Sequence, residues 1–144
     1  FMPEGLDSPF ETVERILAAL REDGPDVILV DMHAETTSEK AALAWYLDGR
    51  VTAVVGTHTH VPTADGRLLP NGTAFVSDLG MTGPRDSIIG SSASDVVGRF
   101  LTAMPKRLNV AEGGPLQFNA VLIEIDDTTG KARLIRRVDQ VLGP

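Results

Sequence analysis

The segment Val51-Thr52-Ala53-Val54-Val55-Gly56-Thr57-His58-Thr59-His60 decides the fold, because an apolar strand pattern runs directly into two histidines. Residues 51–55 are predominantly apolar and rich in β-branched side chains, which is typical of a buried strand in a parallel sheet. Open α/β sheets present their ligand sites at the carboxyl ends of such strands. We therefore predict a parallel sheet whose carboxyl edge carries His58 and His60.

A similar junction of strand and histidine lies earlier in the chain. The apolar run Val27–Val30 predicts a central parallel strand, and it ends in Asp31-Met32-His33. A helix predicted over Thr36–Asp48, with its first residue as the cap, has the length of a crossover between the two strands. An earlier helix is predicted over residues 10–20 and is capped by Ser8. This αβαβ order favours parallel strands with right-handed connections.

The later part of the chain predicts antiparallel structure. Residues 67–69 and 73–77 flank an Asn-Gly turn and predict a hairpin, and residues 119–125 and 131–138 predict another. A long loop over residues 78–92 separates them, followed by a helix from Ser94 to Met104 that is expected to bury Val97, Phe100 and Leu101. The fold class is therefore α/β (α+β), with parallel strands first and antiparallel hairpins later. We expect residues 1–144 to be a single domain or the second half of one.

The composition excludes several classes of function. The chain has 144 residues, no cysteine and a formal net charge of −7. The lack of cysteine rules out a disulfide scaffold and thiolate chemistry, and it is compatible with a cytoplasmic protein. The negative charge argues against an electrostatic grip on duplex nucleic acid. No apolar run approaches the ~20 residues that cross a bilayer, so we expect no membrane contact.

The three histidines of the chain form a candidate metal site. In an extended segment, residues i and i+2 point to the same side about 6.5 Å apart, so we expect His58 and His60 to face one space. A parallel neighbouring strand would bring His33 to the same edge. A spacing of this order suits two neighbouring metal ions at least as well as one. A lone histidine after a strand also has a simpler interpretation, as a hydrogen-bonded polar residue or a surface residue without a role in metal binding.

Other candidate site residues have two open interpretations. Asp31 and Asp78 are candidate outer groups that orient a ligand, or they are ordinary strand-end and turn residues. Thr57 and Thr59 are candidate phosphate donors, or β-forming residues beside a strand. Arg85 is a candidate phosphate ligand, or a solvated surface residue. The preferred interpretation of Glu35 and Glu39 is as charges at the start of a helix. Trp45 and Tyr46 are expected to serve core and interface packing rather than to stack on a base.

Several motifs together carry a resemblance to a known family. They are residues 31–40, 45–49, 56–61, 63–65 and 77–83. On these motifs the chain resembles the bacterial YmdB-like metallophosphoesterases, a branch of the calcineurin-like superfamily. The resemblance covers essentially the whole chain, and Gly56-Thr57-His58-Thr59-His60 is similar to the Gly-His-x-His block of the superfamily.

The resemblance implies a dinuclear phosphodiesterase. His33 and His58 would hold one divalent transition metal ion and His60 the other, with iron, manganese and zinc all suited to imidazole. A metal-bridging hydroxide would attack the phosphorus of a phosphodiester, with 2′,3′-cyclic nucleotides as the implied substrates.

One departure from the family pattern is important. The family's remaining ligands, and a general-acid histidine next to an asparagine, come from earlier sequence, and this chain has no Asn-His pair. We expect those groups upstream of Phe1, in a missing N-terminal half, and we expect the segment alone to be inactive.

The alternatives to this enzyme interpretation stay open. One is a non-catalytic protein that binds a nucleotide or a partner on the same scaffold, and another is a single structural metal ion. A homo-oligomer through the late apolar hairpins is a further possibility.

Overall fold

The computed structural model describes residues 7–20 and 24–143. The described helices are α1 Pro9–Ala19, α2 Thr37–Tyr46 and α3 Ala93–Thr102. The strands are β1 Leu29–His33, β2 Ala53–Thr57, β3 Arg67–Leu68, β4 Ala74–Val76, β5 Thr82–Pro84, β6 Leu116–Phe118, β7 Val121–Ile125, β8 Ala132–Arg137 and β9 Gln140–Leu142. None of the described helices has the length and the apolar character that a membrane span requires.

The first sheet contains the parallel strands that the sequence predicts. Its order is β1-β2-β4-β3, with β1, β2 and β4 parallel and β3 antiparallel to β4. The register places His33 opposite Thr57, so the carboxyl ends of β1 and β2 meet at one edge. The predicted α/β class, with parallel strands first and antiparallel hairpins later, is confirmed.

The core forms where α1 and α2 pack on this sheet. Val13 and Leu17 of α1 meet Leu43 of α2, together with Val54 and Phe75 from the sheet. Burial of each such side chain contributes roughly 1.5–3 kcal/mol. Among the described strands, β1 lies at the edge of this sheet rather than at its centre, and Leu29 is 62% exposed.

The antiparallel part consists of a three-stranded sheet, in the order β5-β6-β9, and the β7–β8 hairpin. The hairpin closes through a turn in which Gly130 N donates to Asp126 O at 2.8 Å, as the sequence predicts. The short strands β6 and β9 have no counterpart among the sequence-based predictions.

The expected burial of Val97, Phe100 and Leu101 is wrong, because α3 turns that face outward and the last two are more than 80% exposed. Helical periodicity identifies an apolar face but does not determine whether another element covers it.

Two local expectations for the helices are also wrong. Ser8 and Thr36 precede α1 and α2, but neither side chain makes a capping hydrogen bond. Trp45 and Tyr46 are not core residues, since both are more than 40% exposed. The ring of Tyr46 packs edge-to-face on Phe10 at 5.4 Å between centroids.

Gly56 allows β2 to approach the segment that follows β4. A Cβ atom at this position would overlap the Ser77 carbonyl oxygen and would lie 2.7 Å from Lys40 Cδ. We therefore expect Gly56→Ala to lower the free energy of unfolding by about 1–3 kcal/mol or more, measured by urea denaturation. Gly66→Ala is the matched control, because nothing lies within 4 Å of its added Cβ. Equal stability of the two variants would contradict the assigned packing.

Candidate metal centre

A hydrogen-bond chain fixes the ring of His33. Thr57 Oγ1 lies 2.7 Å from Asp31 Oδ1 and 3.0 Å from His33 Nδ1. The hydroxyl has one proton, which it donates to the carboxylate of Asp31, so it accepts from Nδ1–H of His33. His33 therefore presents a lone pair on Nε2. This arrangement follows from the β1–β2 register and from the side-chain alternation that places Asp31 and His33 on one face.

His58 lies directly against His33. Its Nδ1 is 3.0 Å from His33 Nε2, and the two rings are nearly perpendicular with their centroids 4.8 Å apart. Its Nε2 is 2.8 Å from Glu35 Oε2. The sequence favoured Glu35 as a helix-start charge, whereas the structure places its carboxylate against this imidazole.

The spacing of the two rings is compatible with shared metal coordination. Two nitrogens that each lie about 2.1 Å from one octahedral ion are themselves about 3 Å apart. The separation of His33 Nε2 and His58 Nδ1 matches that value. The chemistry of this donor pair therefore fits a divalent transition metal ion.

His60 is placed differently from the prediction. His58 and His60 have φ angles of 110° and 65°, so the segment is not extended and the reasoning that put both rings on one side is wrong. His60 Nδ1 bonds instead to the carbonyl oxygen of Ile89 at 3.0 Å, which leaves its Nε2 as the available nitrogen. Within residues 7–20 and 24–143, no group of three or more His, Cys, Asp or Glu side chains is arranged to hold a metal ion. The structure thus brings two of the three histidines into contact.

A buried ion pair supports the turn that carries these histidines. Lys40 is fully buried and its Nζ lies 2.9 Å from Oδ2 of Asp78, which is 1% exposed. The same oxygen accepts from Thr59 N at 3.0 Å and from Thr59 Oγ1 at 2.8 Å, while Oδ1 accepts from Gly80 N at 2.9 Å. Asp78 therefore fixes the residue that lies between His58 and His60.

Sequence reasoning missed Lys40, although a signal was present. Lys40 shares a buried stripe with Leu43 and Ala44 of α2 and with Leu47, the residue that caps this helix, at the spacing i, i+3, i+4 and i+7. A lysine inside an apolar stripe needs a buried partner of opposite charge. Asp78 supplies that partner from the loop after β4.

The carboxyl of Asp78 is ionised at neutral pH. Burial raises the pKa of Asp78, but hydrogen bonds from Gly80, Lys40 and Thr59 outweigh it, so the pKa lies below its usual value. Asp65 behaves similarly: burial raises its pKa, and hydrogen bonds from Thr63 and Ser77 lower it further than burial raises it. Both carboxylates hold loop backbone in place.

Arg85 lies beside His60 and away from the Lys40–Asp78 pair. Both residues line a small surface cavity, and Arg85 is exposed. Its side chain makes no hydrogen bond or ion pair with any residue in the part of the chain that the structure describes. The guanidinium is therefore available to a ligand.

Comparisons with known proteins give consistent matches. A family model described as YmdB-like protein matches residues 1–138. The chain is 51% identical over 138 residues to a 2′,3′-cyclic-nucleotide 2′-phosphodiesterase of Bacillus subtilis (strain 168), covering 96% of this chain and 51% of that protein. It spans about half the length of the curated relatives that it matches.

Two solved structures share the fold. A hypothetical protein from Thermus thermophilus superposes with a TM-score of 0.89 at 42% identity, covering 98% of this chain and 54% of that one. A novel phosphatase from Mycoplasma pneumoniae superposes with a TM-score of 0.87 at 35% identity, covering 98% and 50%.

Removal of the charge of Asp78 tests the buried pair. Asp78→Asn leaves the Lys40 ammonium buried without a counter-charge, so we expect a loss of about 3–5 kcal/mol in the free energy of unfolding by urea denaturation. Asp7→Asn is the control, because it removes a carboxylate from an exposed pair with Arg15 and should change stability little. Comparable effects of the two variants would contradict the structural role of the pair.

The lowered pKa of Asp78 predicts how stability depends on pH. A folded pKa below the unfolded value means that the stabilisation is fully present above the unfolded pKa, about 3.9. It is lost as the pH falls from there through the folded pKa. Urea midpoints measured at descending pH should therefore fall more steeply for the wild-type chain than for Asp78→Asn. Parallel pH profiles would contradict the assignment.

Proposed function

Because this chain belongs to the YmdB-like protein family, we propose that it forms the histidine-bearing part of a metal-dependent phosphodiesterase acting on 2′,3′-cyclic nucleotides. The observation that carries the proposal is the 3.0 Å approach of His33 Nε2 to His58 Nδ1 at the carboxyl edge of a parallel sheet. Support for the substrate class comes from the name of the Bacillus subtilis relative. The proposal includes a cytoplasmic location, which suits a chain without cysteine.

The three histidines have separate roles in this proposal. His33 and His58 hold one divalent ion, and His60 contributes Nε2 to a second. Iron, manganese and zinc all suit imidazole nitrogen. Bound ions of this kind supply charge neutralisation at the phosphoryl oxygens and an activated water at neutral pH.

The remaining residues position these ligands and the substrate. Asp31 and Thr57 hold His33 in the tautomer that leaves Nε2 unprotonated, and the Ile89 carbonyl does the same for His60. Glu35 accepts from Nε2–H of His58, which favours the tautomer that leaves Nδ1 of His58 available to the cation. Arg85 is the proposed ligand of the phosphate.

The two threonines contribute to positioning more directly than to phosphate binding. The hydroxyl proton of Thr57 is donated to Asp31, and that of Thr59 is donated to Asp78. Neither hydroxyl is therefore a free donor for a substrate oxygen. We assign Thr59 to holding the turn between His58 and His60 against the Lys40–Asp78 pair.

Three imidazoles are too few ligands for two metal ions. We therefore propose that the remaining ligands and the general acid come from a segment that corresponds to the half of the relatives that this chain does not span. The 144-residue chain alone is then expected to be inactive. The second candidate, a nucleotide- or partner-binding protein without catalysis, is favoured by the absence of a three-residue metal cluster among the described residues. Metal analysis separates the two, because the enzyme requires bound transition metal ions.

Substitution of the histidines tests the proposal. In a polypeptide of the relatives' full length, His58→Ala and His60→Ala should each lower turnover of a 2′,3′-cyclic nucleotide more than about 100-fold. Loss of a residue that only orients a metal ligand costs about 10–100-fold, and loss of the ligand itself should cost more. Elemental analysis should show one metal ion lost or weakened in each variant. Unfolding curves should stay close to wild type, because both residues are exposed and neither is part of the core.

The control is Arg107→Ala, an exposed residue outside the site. It should retain wild-type metal content and turnover. Full activity of either histidine variant, or a metal-free wild-type protein that still hydrolyses the substrate, would contradict the metal assignment.

A further inference from the structure

A cavity of about 240 Å³ adjoins His60. Apolar side chains of Val61, Met81 and Ile89 line it, and Arg85 and Gln117 contribute polar groups. An apolar lining with a few polar groups that fix orientation is the usual character of a small-molecule site. Because His60 is part of this lining, a molecule in the cavity lies next to a proposed metal ligand.

The two polar side chains of the cavity are available to a ligand. Neither the Gln117 amide nor the Arg85 guanidinium bonds to another residue in the part of the chain that the structure describes. Ser87, which also lines the cavity, is already engaged, because its hydroxyl donates to Pro84 O at 2.6 Å and accepts from Gly90 N at 3.0 Å. Recognition in this cavity therefore depends on Gln117 and Arg85.

The backbone holds Gln117 in a defined place. It is the middle residue of β6, paired with Gly83 of β5 on one side and Val141 of β9 on the other. Its neighbours Leu116 and Phe118 point to the opposite face, as alternation along a strand requires. A side chain on a central strand of three keeps its position better than one on a loop.

Ile89 connects the cavity to the candidate metal centre. Its φ of 47° is unusual for a β-branched residue and is sustained only where the surroundings fix it. Its carbonyl accepts from His60 Nδ1, while the residue also forms part of the cavity lining. One residue thus orients the histidine and shapes the adjacent space.

We propose that this cavity binds the base of the nucleotide substrate, and that Gln117 is the residue that determines base specificity. The inference rests on the proposed function. An amide carries a donor and an acceptor side by side and pairs with the complementary edge of a base, while Met81 and Ile89 supply apolar contact. The volume is below the roughly 300–1,000 Å³ of sites that enclose a drug-sized ligand, so the cavity suits one portion of a nucleotide. Arg85, the proposed ligand of the phosphate, lines the same cavity.

The test compares substrates with and without a base. The four 2′,3′-cyclic nucleotides and methyl riboside 2′,3′-cyclic phosphate, which has the same reacting ring and no base, are hydrolysed by a polypeptide of the relatives' full length. Gln117→Leu should lower kcat/KM at least about 10-fold for the preferred nucleotide, mainly through KM, and leave the baseless substrate unchanged. Gln140→Leu on the neighbouring strand β9 is the matched control and should change neither.

The outcomes separate this inference from the proposed function. Equal losses on both substrates, or no loss on either, overturn the role of Gln117 while leaving the phosphodiesterase intact. If the wild-type protein hydrolyses none of these compounds, the proposed function fails. The cavity is then tested by calorimetric titration of the 144-residue chain with the four free nucleosides. Binding that weakens at least about 10-fold in Gln117→Leu and not in Gln140→Leu supports the base site, and no binding overturns it.

Discussion

The buried pair of Lys40 and Asp78 is the interaction on which the site depends. Its two charges lie between α2 and the loop after β4, and the carboxylate also holds both the amide and the hydroxyl of Thr59. Positive φ angles at His58 and His60 cost energy in isolation. The hydrogen bonds that Thr59 donates to Asp78 help to hold that conformation, so α2 and the loop after β4 support the turn that carries the two histidines.

The register of the parallel sheet determines how the ring of His33 is held. The register of β1 and β2 sets Thr57 opposite His33, and the single proton of the Thr57 hydroxyl then determines the tautomer of that ring. The ring of His60 takes the same tautomer, because its Nδ1–H donates to the carbonyl oxygen of Ile89. Both rings are therefore oriented through Nδ1 by hydrogen-bond acceptors, an arrangement that is also found around imidazoles that bind metal ions.

The sequence predicted the parts of the structure that depend on short-range patterns. Apolar runs followed by histidines indicated the carboxyl edge of a parallel sheet, and the Asn-Gly turn indicated a hairpin. It did not predict the burial of Lys40, because hydropathy treats lysine as a surface residue unless its partner is known. It also treated residues 58–60 as extended, because periodicity alone does not show the positive φ angles at His58 and His60. No sequence pattern marked Gln117 as a candidate site residue, since a glutamine in a short strand has no distinctive spacing.

The outer position of β1 has a practical consequence for anyone who handles this polypeptide. Among the described strands it is hydrogen-bonded to β2 alone, so its other side presents unpaired amide and carbonyl groups next to the exposed Leu29. Such a margin is a template for intermolecular strand addition. We therefore expect this margin to offer a route to self-association in concentrated preparations, which a lysine in place of Leu29 would oppose.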